Sequence, residues 1–299
     1  MRFVVLGAGG VGGYYGAMLA RAGHDVAFLA RGAHLDAIRS DGLRVHSPDG
    51  DFVVHPAATD DPAALPAADA VLVTVKSYSL EEAAPAAARL AAGGATVVPL
   101  LNGVDAADRL AELGVPREAI LGGVTYLSAA RTAPGVIERR SPFQRVVVGE
   151  LGGGSSERAE RIAGALRDAG VEAAAVPDID VQLWRKLVFL APLAAACGLA
   201  RAPIGAVRAR PLGPLLLERL VGETAAVARA RGVALPPGEE ARTLEQIRGL
   251  PDGMRPSYLL DLEAGGPTEL DLLSGAISRI GRELGVPTPV HDTAAAVLR

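Results

Sequence analysis

Five glycines fall within seven residues, Gly7, Gly9, Gly10, Gly12 and Gly13, after the apolar run Phe3 to Leu6 and at the start of a helical pattern, Val11 to Ala22. Such a segment suits folds that turn the backbone sharply where a strand becomes a helix, because glycine reaches positive φ without steric cost. Gly7-Ala8-Gly9-Gly10-Val11-Gly12 fits G-x-G-x-x-G. In a strand-turn-helix context the first glycine permits the turn and the second lets backbone approach a pyrophosphate. The third lets helix pack on strand, and phosphate charge lies at the helix N-terminus. The plainer alternative is a glycine-rich turn that binds nothing. The same glycines argue against a secretory signal beginning at Met1-Arg2, since they would break its continuous apolar helix.

The surrounding pattern is a βαβ rhythm. Short β-branched runs at Phe3 to Leu6, Val26 to Leu29, Val71 to Val75 and Thr96 to Leu100 alternate with helical stretches at Val11 to Ala22, Ala33 to Ser40, Leu80 to Ala92 and Val104 to Leu113. This predicts a doubly wound parallel sheet covered on both faces. A hairpin is expected at Leu43 to Val45 and Phe52 to His55, around Ser47-Pro48-Asp49-Gly50. A strand-rich stretch runs from Ile120 to Gly149, followed by a helix at Ser155 to Ala169 and a strand at Val171 to Val176. After Pro177 the period becomes helical, over Ile179 to Leu199, Leu215 to Arg231, Glu239 to Arg248, Leu270 to Leu284 and a short last helix. The expected class is α/β: a Rossmann-like dinucleotide-binding domain over residues 1–177, then an all-α domain over 178–299.

Composition narrows the partners. A net charge of −4, with no block of like charge, argues against nucleic acid. The most apolar run, Leu187 to Ala200, contains Pro192 and is shorter than the ~20 residues of a bilayer span, so a soluble chain with no membrane partner is expected. Cys197 is the single cysteine, which excludes an intrachain disulfide and a cysteine-ligated metal site and fits a reducing, cytoplasmic setting. No metal site is expected, and a homodimer is the expected assembly.

The second strand bears on the cofactor. An NAD site ends this strand with Asp or Glu to bind the ribose 2′-hydroxyl, whereas here it ends Phe28-Leu29-Ala30-Arg31. Arg31 can pair with a 2′-phosphate, which points to NADP(H); the alternative is a solvated arginine. Rare residues point elsewhere. Only two of thirty basic residues are lysines, Lys76 and Lys186, and Asn102 is the single asparagine. A composition that otherwise prefers arginine keeps lysine where a titratable ammonium is useful. Lys76 closes one strand reading and Asn102 follows another, both at the carboxyl edge where open α/β sheets bind ligands. Asn102-Gly103 also reads as an ordinary turn, and Lys76 as a solvated loop lysine. Lys186 lies near the start of the first helix of the second domain, at an expected interdomain cleft, beside Trp184, which reads as core. Ser257 and Glu269 begin two further helices, where each also suits a helix start.

Taken in order, GAGGVGG at Gly7 to Gly13, Arg31, VTVKSY around Lys76, LLNGV around Asn102, LWRKL around Lys186, RPSYLLDLEAGGPTELDLLSGAI from Arg255, and GVPTPV from Gly285 resemble the ketopantoate reductase (2-dehydropantoate 2-reductase) family over nearly the whole chain. The resemblance implies a Rossmann domain plus a helical domain, and NADPH-dependent reduction of a 2-oxo acid. It implies that Lys186 hydrogen-bonds the ketone oxygen and supplies its proton, that Glu269 supports the lysine or a substrate hydroxyl, and that Ser257 contacts substrate. Asn102 and Lys76 are implied near the nicotinamide ribose and the reacting groups.

One departure stands out. Where the family carries asparagines after the lysine, this chain has Leu190, Ala194 and Ile204. A substrate hydroxyl buried against them would lack partners, at ~1–3 kcal/mol per unsatisfied group. The default reaction is 2-dehydropantoate to pantoate. The alternatives are a reductase of a more apolar 2-oxo acid or ketone, resembling D-2-hydroxyacid dehydrogenases, and a non-catalytic NADP(H) sensor. Retention of Lys186 and Glu269 argues against the sensor, which needs no proton donor.

Overall fold

The protein is described by a computed structural model covering residues 1–299. The chain forms two compact units, Met1–Leu101 with Ala106–Ile179, and Asn102–Asp105 with Asp180–Arg299.

The first unit begins β1 (Arg2–Leu6), α1 (Gly10–Arg21), β2 (Asp25–Leu29), α2 (Gly32–Asp41), β3 (Leu43–His46), β4 (Phe52–Val54) and β5 (Ala57–Thr59). It continues β6 (Ala70–Val73), α3 (Leu80–Ala92), β7 (Thr96–Pro99), α4 (Ala106–Glu112), β8 (Gly122–Tyr126), β9 (Ala129–Ala133) and β10 (Val136–Arg139). It closes with β11 (Arg145–Gly149), α5 (Glu157–Asp168) and β12 (Glu172–Ala175). The main sheet has the order β5-β2-β1-β6-β7, and every pairing in it is parallel. Its inner strands are buried on both faces: Phe3 and Val5 belong to one core, Val4 and Leu6 to the other. That is why they read as unbroken apolar runs. The order reverses between β1 and β6, and Leu6 pairs with both Leu29 and Val73, so the three carboxyl ends are level. A crevice at such a switch point is where doubly wound sheets bind ligands.

Two smaller sheets complete this unit, β4-β3-β10-β9 and β12-β11-β8. The expected hairpin is the β3–β4 pair. The edge strand β5 was not expected; at three residues with no alternation it leaves little trace in the sequence.

The second unit holds α6 (Ile179–Ala200, whose first residue belongs to the first unit), α7 (Ile204–Arg208), α8 (Gly213–Ala230), α9 (Glu239–Arg248), α10 (Ser257–Glu263), α11 (Ser274–Leu284) and α12 (Pro289–Val297). At 22 residues α6 is long and apolar enough to cross a bilayer, contrary to the expectation drawn from the shorter run Leu187 to Ala200. Its apolar residues have a protein environment instead: Trp184, Leu187, Val188 and Leu193 lie in the helical core. The expected helix over Leu270 to Leu284 is broken at Leu273 (φ −109°, ψ −107°), behind a 3-10 turn at Leu270–Leu272. Leu270 and Leu272 are both buried, and a continuous helix would point them roughly 200° apart. Deep in this unit the His291 imidazole is fully buried among Thr224, Ser274 and the Leu220 carbonyl, and burial pushes its pKa down to about 4. Glu223 accepts the Val290 and His291 amides at 3.0 Å, replacing the side-chain cap that α12 lacks at Thr288.

Candidate active site

In the first unit the glycine turn leaves β1 and enters α1. Gly7 has φ +103°, and a Cβ there would press on Val75 at 3.0 Å. A Cβ on Gly12 would overlap the Thr74 hydroxyl and the Gly7 carbonyl, and one on Gly10 would overlap the Ala129 carbonyl. Gly9 differs: a Cβ there would meet nothing within 4 Å. Three of the glycines are thus required by the protein's own packing or backbone, and Gly9 keeps an open face. Gly9 is also the N-cap of α1 and offers no side chain to the helix. The Gly13 amide closes the first helical bond, to the Gly9 carbonyl at 2.7 Å, and the amides of Gly10, Val11 and Gly12 precede it. Ala8 is buried beside them. No acidic residue occupies the first turn, so an open backbone face meets the positive end of a helix dipole. These residues fit a dinucleotide pyrophosphate.

Thr74 carries no local signal of its role. Its hydroxyl donates within reach of both the Leu6 carbonyl at 3.1 Å and the Gly7 carbonyl at 2.7 Å, tying the turn to the end of β6. That strand ends at Val73, not at Val75, so Lys76 does not close it. The exposed Lys76 instead precedes a 3-10 turn at Ser77–Ser79.

Arg31 is the N-cap of α2. No carboxylate ends β2, as expected, but in space the Arg31 guanidinium pairs with Glu82 of α3, both side chains being more than half exposed. Glu82 is fifty-one residues away in sequence, and its place in a helix first turn is reason enough for an acidic residue. Nothing local links the two.

The second unit contains a three-residue polar chain. Lys186 Nζ donates to Asn102 Oδ1 at 2.9 Å, and Asn102 Nδ2 donates to Glu269 Oε2 at 3.3 Å. The amide orientation is forced, because an ammonium can only donate and an ionised carboxylate can only accept. Asn102 belongs with the helical unit and not with the sheet that precedes it. Gly103 follows at φ +92°, with its Cα so close to Leu272 that a Cβ would sit 3.1 Å from it. Farther along the same segment, Asp105 pairs with Arg279 of α11 at 2.8 Å. Glu269 is buried and precedes the 3-10 turn, so it does not begin a regular helix as expected.

Burial of the Lys186 ammonium pushes its pKa down to about 8, and the Glu269 charge opposes that shift without cancelling it. The result is a cation near neutrality with a proton it can give up. The neighbouring Arg185 is held apart from this chain by the buried Glu239 at 3.2 Å, since successive helical residues point ~100° apart.

Leu190 lies one turn beyond Lys186 and is half-buried, while Ala194, a further turn on, and Ile204 are fully buried in the helical core. The apolar replacements at Ala194 and Ile204 therefore serve packing, and Leu190 is the one with an accessible face. Ser257 is exposed at the first position of α10, with Pro256 as its N-cap.

Comparison with known proteins accounts for both halves. Residues 3–153 match the family described as ketopantoate reductase PanE/ApbA, and residues 178–299 match ketopantoate reductase PanE/ApbA C terminal. The chain belongs to the ketopantoate reductase family. It is an oxidoreductase that acts at a CH–OH centre, in a family of NAD(P)-dependent reductases. Over 301 residues it is 35% identical to a 2-dehydropantoate 2-reductase of Halobacterium salinarum, covering 100% of this chain and 98% of that protein. An uncharacterized oxidoreductase of Bacillus subtilis is 30% identical over 100% of this chain and 98% of its own length. The crystal structure of a PanE/ApbA family ketopantoate reductase from Ralstonia eutropha JMP134 matches with a TM-score of 0.91 at 32% identity, covering 100% of this chain and 97% of that one.

Proposed function

We propose that the protein reduces a 2-oxo acid to a 2-hydroxy acid with NADPH, the default substrate being 2-dehydropantoate. The observation that carries the reading is the Lys186-Asn102-Glu269 chain, with an ammonium held near neutrality in its acidity. On this reading residues 1–177 form a cofactor domain and residues 178–299 a catalytic domain.

When bound, the reduced nicotinamide supplies the hydride. The open face of Gly9 and the first amides of α1 would hold the pyrophosphate, with Ala8 shaping the turn beside it, and Arg31 would reach the 2′-phosphate by giving up Glu82. Lys76 and Asn102 are assigned to the nicotinamide ribose and the reacting groups. Reduction of a ketone builds negative charge on its oxygen. Lys186 stabilises that charge and then transfers a proton from Nζ to the oxygen, leaving a hydroxyl on the product and a neutral amine on the enzyme. Asn102 takes one of the three N–H donors of the ammonium and so fixes its direction. Glu269 anchors Asn102 and favours the protonated lysine. Ser257 is assigned to the substrate.

The test is NADPH oxidation in the presence of 2-dehydropantoate and a panel of other 2-oxo acids. No turnover with any 2-oxo acid, by a protein that binds NADPH, would favour the sensor reading.

A second reading is favoured by Leu190, an accessible apolar side chain on the Lys186 face of α6. A 2-oxo acid lacking the hydroxyl of ketopantoate suits that wall better, because apolar surface gains nothing from a hydroxyl that it must desolvate. Comparing kcat/KM for ketopantoate and for the same skeleton without the hydroxyl decides between them.

A further inference from the structure

Within the first unit, a pocket of about 420 Å³ is lined on one side by Arg31, Ala33 and His34 and on the other by Arg131 to Pro134. We propose that Arg131 is the principal cation that recognises the 2′-phosphate of NADP(H), with Arg31 in a secondary role. The inference rests on the NADP(H) reading above and names the residue that would enforce it.

Charge is the first reason. The Arg31 guanidinium is already paired with Glu82, so together the two present no net charge to an incoming anion. Arg131 is exposed and forms no ion pair, which makes it the uncompensated positive charge on this pocket. A phosphate must displace Glu82 to engage Arg31, whereas Arg131 gives up only water.

Placement is the second. Arg131 lies in the middle of β9, and this strand is fixed to the glycine turn by two independent contacts. The carbonyl of Ala129 lies against Gly10 so closely that a Cβ could not be accommodated. The His34 ring bridges the glycine turn and the connection between the antiparallel strands β9 and β10: Gly135 N–H donates to Nδ1 at 2.9 Å, and Nε2 lies 2.7 Å from the Ala8 carbonyl. A backbone amide can only donate, so Nδ1 is the acceptor, Nε2 carries the hydrogen, and the imidazole is neutral. Burial holds its pKa below the ordinary value, and the Arg131 charge acts in the same direction. His34 is therefore a spacer and not an anion ligand. Its bridge sets the Arg131 strand at a fixed position relative to the turn assigned to the pyrophosphate.

The experiment measures the dissociation constants of NADPH and NADH for the wild type, Arg131→Ala, Arg131→Lys and Arg31→Ala by calorimetry, with no substrate present. The expected result is a ~10- to 100-fold loss of NADPH affinity in Arg131→Ala, as for one charge-assisted contact, with NADH within about twofold of wild type. Arg131→Lys should recover part of the loss, and the loss should shrink as salt is raised. If Arg31→Ala loses the preference for NADPH and Arg131→Ala keeps it, the inference is overturned and the NADP(H) reading stands. Equal losses for both cofactors in Arg131→Ala would also overturn it, by placing Arg131 on the pyrophosphate. A wild type that binds both cofactors alike would remove the NADP(H) reading itself.

Discussion

The glycine turn of the first unit offers backbone, whereas the polar chain of the second is made of side chains. At the glycine turn the features that matter are an absent Cβ at Gly9 and the amides at the start of α1, all within six consecutive residues. In the helical unit three side chains must converge from Asn102, Lys186 and Glu269, which are separated by 84 and 167 residues in the two hydrogen bonds they make. A backbone site is written locally and tolerates much change around it. A side-chain site is only as good as the packing that brings distant segments together.

The contrast is broken most severely at Lys186. Lys186→Ala should lower kcat by ~10²- to 10⁴-fold while leaving NADPH affinity within about twofold, because the ammonium acts on the reacting oxygen and not on the cofactor. Lys186→Arg should recover little, since guanidinium does not release its proton. Near wild-type turnover in the arginine variant would limit this residue to electrostatic anchoring.

The glycines test the other half. Gly9→Val should weaken NADPH binding by ~10-fold or more, on the expectation that the cofactor occupies the open face, with the melting temperature unchanged. Gly12→Val should instead destabilise the fold by ~1–3 kcal/mol, because the new side chain meets Thr74 and the Gly7 carbonyl. Thermal melts and cofactor titrations on the same pair would expose an error if the two variants behaved alike.

The depressed pKa of Lys186 sets a pH dependence confined to the second unit. With its pKa at about 8, kcat/KM should fall tenfold per pH unit above that value, as the proton donor is lost. Stability has a definite sign as well. Between about 8 and the ordinary 10.5 the unfolded chain holds a proton that the folded chain has released, so the wild type gains stability with rising pH across this window. A Lys186→Met variant lacks this gain, and urea melts at several pH values should show the two proteins converging as pH rises. A gap that widened would contradict the burial argument.

The smallest effect is expected at Leu190. Leu190→Asn should shift the kcat/KM ratio toward ketopantoate by up to ~10-fold over its analogue lacking the hydroxyl, the scale of one neutral hydrogen bond. A wild type that already prefers ketopantoate strongly would mean that other polar groups serve the hydroxyl.

What the sequence made legible follows the same divide. The βαβ rhythm, the turn and the helical second half were readable because doubly buried strands are apolar without interruption and amphipathic helices repeat at 3.6 residues. The residues Lys186, Asn102 and Glu269 could be singled out by rarity and family resemblance, but that Asn102 bridges the other two is a fact of tertiary packing. Arg31 was read from its strand alone, and its partner Glu82 sits on a different helix with no local signal. Likewise Ala194 looked like a lost polar contact, and only its burial shows it to be core. Leu273 breaks a period that the sequence carries without interruption, because burial of Leu270 and Leu272 together overrides it.

The Asn102-Gly103 pair has a consequence for the working lifetime of the protein. An asparagine followed by glycine is prone to spontaneous ring closure, in which the glycine nitrogen attacks the side-chain carbonyl carbon and ammonia departs. Here the same amide is held at both ends, by Lys186 and by Glu269, which restrains the rotation that attack requires. Loss of the amide would put an aspartate or isoaspartate beside Glu269 in place of a donor, so on the proposed mechanism ageing at this one bond would disable proton transfer by Lys186. Stored wild-type protein should therefore keep Asn102 longer than stored Lys186→Ala, as read by peptide mapping, and equal rates of conversion would show that the hydrogen bonds give no protection.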